Sequence, residues 1–114
     1  MYEEAKFEVG VAKTPSITVY SVMMTIEILE TQYTVELYRD YQDFDYEYWR
    51  IYLLLNTEGP WNITIQVTGS NNLNDSLQMV IYVGSPPVFL SFLYSFPSVS
   101  VGGTVQFIVF VRDF

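Results

Sequence analysis

The sequence predicts an all-β fold, an antiparallel sandwich of two sheets and about seven to eight strands. Three observations carry this. Apolar and polar residues alternate with period two through nearly the whole chain. Turn signals rich in Gly, Pro, Asn and Ser recur at roughly 8–14-residue spacing. No stretch between them shows the apolar periodicity of an amphipathic helix. The composition agrees, with 114 residues that are 50% hydrophobic and 18% aromatic, including ten Tyr and eight Phe. Aromatic and β-branched side chains pack well on a pleated, half-buried surface.

Phe7, Val9 and Val11 alternate with Lys6, Glu8 and Gly10, and Lys13 to Ser16 ends that strand. Val22, Met24, Ile26 and Ile28 share one face of the next, with Met23, Thr25 and Glu27 on the other. Tyr33, Val35 and Leu37 form a third. Tyr38 to Tyr48 reads as an acidic, tyrosine-rich connection whose end is open to an extended reading. The apolar phase is even at Phe44, Tyr46 and Tyr48, then odd at Trp49, Ile51, Leu53 and Leu55, a flip that predicts a bulge or a switch between strands. "NTEGP" is a turn. Trp61, Ile63, Ile65 and Val67 then alternate with Asn62, Thr64, Gln66 and Thr68. Gly69 to Asp75 reads as a loop, and Leu77, Met79, Ile81 and Val83 resume the odd phase. Trp61 to Val83 is therefore expected to be a hairpin with one buried face. Beyond "GSPP", Val88–Phe96 is a further strand candidate, "FPSVSVGG" a turn region and Thr104–Arg112 a terminal strand. Two packed sheets of this kind make an Ig-like β-sandwich. Residues 1–84 form its body, and residues 85–114 form a C-terminal strand pair that completes the sandwich or is exchanged with a neighbouring subunit.

Charge and composition exclude several function classes. Thirteen acids against five cations give a formal charge of −8. Such a chain repels phosphate backbones, so nucleic acid is not an expected partner. It carries no basic patch for an anionic membrane surface. The N-terminal "MYEEAKFEVG" does not read as a signal peptide, and no apolar run reaches the length of a transmembrane segment. With no His and no Cys, neither a nucleophilic triad nor a His- or Cys-based metal site can be assembled. The chain is read as non-enzymatic, with no catalytic residues, no metal and no cofactor.

Four groups of residues are singled out. Asp40, Asp43, Asp45 and Glu47 offer oxygen ligands, but lack the glycine turn and ligand spacing of a calcium loop, and so read as solvated acids. Met23, Met24 and Met79 read as packing residues rather than copper ligands. Tyr41, Phe44, Tyr46 and Tyr48 set aromatic rings over acids and form a candidate interaction or carbohydrate surface. Asn62-Ile63-Thr64 and Asn74-Asp75-Ser76 are glycosylation sequons; alternation points Asn62 outward and leaves Asn74 in a loop. Trp61, after Gly59-Pro60, reads as a core plug.

The segment "YWRIYLLLNTEGPWNITIQVTGSNNLNDSLQMVIYVG" (Tyr48–Gly84) resembles the C-terminal half of FixH/YtkA-type Ig-like domains. There an apolar strand enters a Gly-x-Trp or Gly-Pro-Trp turn, followed by an alternating strand, a polar loop and a strand ending in Val-x-Val. Phe7–Ile28 fits the first two strands of that pattern. The resemblance covers about residues 7–84. It departs in the short acidic middle of the chain and in Ser85–Phe114, whose "PSVSVGGTVQFIVFVRD" resembles the opening of another Ig-like domain. The resemblance implies an extracytoplasmic accessory subunit of a membrane-associated complex.

The terminal strand decides between the functional readings. Val105, Phe107, Val109 and Val111 alternate behind a Gly102-Gly103 hinge. A long apolar strand left as an edge aggregates, so it must pair with something. The expected function is a structural protein of the cell surface or extracellular space that self-associates through this strand, as in a filament, pilus or surface layer. The partners are then copies of the same chain or another surface protein. The alternatives are the accessory subunit and a carbohydrate- or protein-binding surface module built on the tyrosine-rich stretch.

Overall fold

The computed structural model describes the backbone of residues 3–13, 15–84, 99–101 and 105–113, and the side chains of residues 4–13, 15–54 and 56–84. Nine strands run through the described residues: β1 (Glu3–Ala12), β2 (Val19–Ile28), β3 (Thr31–Glu36), β4 (Tyr38–Gln42), β5 (Tyr46–Leu55), β6 (Gly59–Gly69), β7 (Asn74–Val83), β8 (Val99–Val101) and β9 (Val105–Asp113). They form a five-stranded sheet of order β4-β5-β1-β9-β8 and a four-stranded sheet of order β3-β2-β6-β7. Every pairing is antiparallel.

The all-β two-sheet sandwich is thus present, and its strand order is of the Ig type. An Ig sandwich sets strands D-E-B against C′-C-F-G, with strand A beside B. Here β4-β5-β1 and β3-β2-β6-β7 take those seven places in chain order. The place beside β1 that belongs to strand A is taken by β9. The candidate strand Val88–Phe96 lies outside the described residues, and part of the expected "FPSVSVGG" turn region is the short strand β8.

The core lies where the alternation placed it. Phe7, Val9 and Val11 from β1, Val22, Met24 and Ile26 from β2, Trp61, Ile63, Ile65 and Val67 from β6, and Ile81 and Val83 from β7 are buried between the sheets. Met24 is fully buried and Met79 packs against the cluster, as expected of packing residues. Trp61 is the plug the sequence implied: its ring is buried and its indole N–H donates to the Thr57 carbonyl at 2.9 Å, so the polar edge of a large buried ring is satisfied.

Two expectations change. The phase flip at Trp49 is not a bulge. β5 runs unbroken and pairs with β1 in one register from Glu3↔Leu55 to Ala12↔Tyr46. Glu47, Trp49, Ile51 and Leu53 face inward, and Tyr46, Tyr48 and Arg50 face outward. Counting tyrosines as apolar produced the apparent flip; a phenol is amphipathic and can line an outer face. Register shifts lie instead in β4, between Arg39 and Tyr41, and in β2, between Val19 and Ser21. Secondly, the acidic stretch is not simply a connection. It forms β4 and the start of β5.

The turns follow local chemistry. Asn71 and Asn72 both have left-handed φ, +56° and +59°, and the Leu73 N–H donates to the Ser70 carbonyl at 3.2 Å. Two consecutive positive-φ residues make the tight hairpin that asparagine tolerates best after glycine. The expected Gly69–Asp75 loop is therefore shorter, and β7 begins at Asn74. Gly59 holds φ +116° where β6 begins, a conformation other residues reach only with strain.

Candidate assembly edge and tyrosine face

Two regions hold the residues singled out from the sequence. The first is the edge of β1. β1 is central, with β5 on one side and β9 on the other. Its inward residues Ala5, Phe7, Val9 and Val11 are all fully buried. The β9 register sets Val111 opposite Phe7, Val109 opposite Val9 and Phe107 opposite Val11. Val105 pairs instead with Val101 of β8. Three of the four predicted self-association positions are thus register partners of the fully buried row of β1. The strand pairs with β1 of its own chain.

The second region is the outer face of the same sheet. Tyr41 and Tyr48 stack, with ring centroids 4.5 Å apart, and Tyr46 tilts against Tyr48 at 6.2 Å. Phe44 does not join them; it stands 93% exposed in the turn between β4 and β5. Asp43 organises this turn. Its Oδ1 accepts the N–H groups of Asp45 and Tyr46, both at 2.8 Å, and its Oδ2 accepts the Tyr48 hydroxyl at 2.9 Å. The Tyr46 amide first, and then the Tyr48 hydroxyl, hold the Asp43 carboxyl below the usual carboxylate range. Partial burial, and then the hydrogen bond to Asp43, push the Tyr48 phenol up to about 12. Burial and the nearby Glu8 carboxylate raise that of Tyr41.

Two other acids of the stretch, Asp40 and Glu47, also have side-chain partners. Asp40 lies 3.6 Å from Arg50 Nε. Glu47 accepts the Trp49 indole N–H at 3.0 Å and lies 3.7 Å from Arg39 Nη2. Arg39 sits over the Trp49 ring at 5.2 Å and donates to the Val19 carbonyl across the sandwich at 3.3 Å. Among the described residues no group of three or more acids is placed to hold a metal ion. The Arg39–Trp49–Glu47 cluster was not foreseen. An Asp at the head of a turn is a legible signal, but an arginine reaching the other sheet has none in sequence.

Both sequons lie at the surface. Asn62 is exposed at the centre of the β3-β2-β6-β7 sheet, between Glu27 and Val80 in register. It borders a shallow hollow of about 460 Å³ shared with Thr25, Gln32 and Thr64. Asn74 is exposed at the start of β7 and accepts a hydrogen bond from Gln66 Nε2 at 2.7 Å.

No protein-family model, curated protein or solved structure matches this chain. No helix among the described residues is long and apolar enough to cross a membrane.

Proposed function

We propose that this small all-β domain is a non-enzymatic structural protein of the cell surface that self-associates by exchanging its C-terminal strand. One observation carries the reading. β9 fills the strand-A place beside β1, and its apolar alternation is in register with the fully buried residues of β1. Residues 84–98 separate β7 from β8. A segment of that length spans up to about 50 Å when extended, against 45 Å for the longest dimension of the molecule. A second copy's β9 can therefore reach the same edge and make the same ladder. The exchanged and closed forms differ mainly in connection entropy, so concentration selects between them. The outward sequon asparagines suit a glycosylated surface protein.

The test uses the absence of native cysteine. Lys6 and Arg112 are register partners, so Lys6→Cys with Arg112→Cys places two sulfurs within disulfide reach across the ladder. Refolding and oxidation at about 1 mM should give a ladder of covalent oligomers on a non-reducing gel, and refolding at about 1 µM mainly linked monomer. Linked monomer at every concentration sinks the strand-exchange reading. It favours the second one, an accessory Ig-like module whose β9 stays in its own sheet, as observed here.

A further inference from the structure

The side of the sandwich away from β9 carries a second open edge. β4 covers β5 only from Glu47 to Arg50. Before Tyr38 the chain still belongs to the other sheet, where the Leu37 N–H donates to the Val22 carbonyl at 2.9 Å. Alongside Leu53 and Leu54 no described strand continues the ladder on that side. β3 is likewise an edge, bonded to β2 alone among the described strands. Between the two edges lies a groove of about 300 Å³, lined chiefly by Ile28, Tyr33, Val35, Leu53, Leu54 and Trp61.

Two further features mark this corner. Leu29, beside Ile28, is 78% exposed and holds a left-handed φ of +56° at the tip of the β2–β3 turn. An exposed leucine in a strained conformation gains nothing for the fold. The turns bounding the groove, Leu29–Glu30 and Asn56–Glu58, carry two exposed glutamates and no cation. Among the described side chains the positive charges lie elsewhere: Lys6, Arg39 and Arg50 face Glu8, Glu47 and Asp40, and Lys13 sits beside the Asp43–Asp45 turn.

We propose that this corner is a docking site for an extended, apolar segment of another protein flanked by lysine or arginine, added as a strand along the end of β5. The unextended ladder supplies main-chain hydrogen bonds, the groove takes alternate side chains, and Glu30 and Glu58 select the basic flanks. A second copy of this acidic chain fits that rim poorly.

The probe is an acetylated peptide alternating threonine and valine with a lysine at each end, titrated into the intact protein and followed by amide and indole NMR. The lysine peptide should shift the Trp61 indole and the Leu54 amide. Glu30→Lys with Glu58→Lys should weaken it about tenfold. A version with glutamates at both ends, or with alternate backbone nitrogens methylated, should bind at least tenfold more weakly. Leu54→Asp, at a half-exposed position, should abolish the shifts while the amide spectrum stays folded. Equal binding by the glutamate or methylated peptide overturns the proposal. So does an absence of shifts at about 1 mM peptide, or shifts at this corner produced by raising protein concentration alone.

Discussion

At Asp43 a single carboxylate joins three donors and thereby fixes a turn, a strand start and a tyrosine ring. The pH consequences follow from the direction of each shift. Asp43 titrates below its ordinary range, so its contribution to stability is complete above that range and is lost as pH falls through the lowered value. Tyr48 titrates near 12, so its contribution is complete below its ordinary value of 10.0 and fades as pH rises through about 12. Asp43→Asn should bring the Tyr48 titration part of the way back, since burial is the larger cause; absorbance at tyrosinate wavelengths or ring NMR reads this. The other residue-scale test is Trp61. Trp61→Ala should cost about 3–5 kcal/mol in urea unfolding, from the lost buried ring. Trp61→Phe should cost less, because a ring remains.

Elements show how turn chemistry and strand pairing combine. Gly59 and Gly69 both stand in β6 but are glycine for different reasons. At Gly59 a Cβ would meet nothing, and the constraint is the positive φ alone. At Gly69 a Cβ would collide with the Thr18 carbonyl oxygen, which accepts the hydrogen bond of the neighbouring Ser70 N–H. Gly59→Ala should therefore cost about 1–2 kcal/mol of backbone strain. Gly69→Ala should cost more, and should loosen exchange protection around Thr18 and Ser70, because backbone must move. Leu29→Gly should run the other way, raising stability by about 1 kcal/mol by relieving the left-handed leucine; a thermal melt distinguishes the three. Alternation in β2, β6 and β7 was readable in advance because each strand has one wet face. β5 was misread at Tyr46 and Tyr48 because a tyrosine satisfies either face, and only its neighbours choose.

In the whole molecule, β1 is the middle strand of the five-stranded sheet. It carries fully buried residues and is paired on both sides, so any molecule that fills the β9 place stabilises the sandwich. Deleting residues 104–114 should uncover that edge, lower the melting temperature and abolish concentration-dependent assembly. A synthetic peptide spanning Thr104–Asp113, added in trans, should restore the melting temperature. A truncated chain that assembles like the parent would contradict strand exchange, and calorimetry with analytical ultracentrifugation measures both quantities.

Legible in the residues alone were the inward faces of β1, β2, β6 and β7, the plug at Trp61, the surface position of Asn62 and the lack of His and Cys. These are local properties: side-chain period, turn residues and composition act within a few positions. Packing settled which strands are neighbours, that β9 lies in the strand-A place, that β4 stops short along β5, and that Arg39 reaches across to Val19. Those outcomes depend on loop closure and on the packing of residues far apart in the chain, where many pairings share the same alternation and only the register of the buried core separates them.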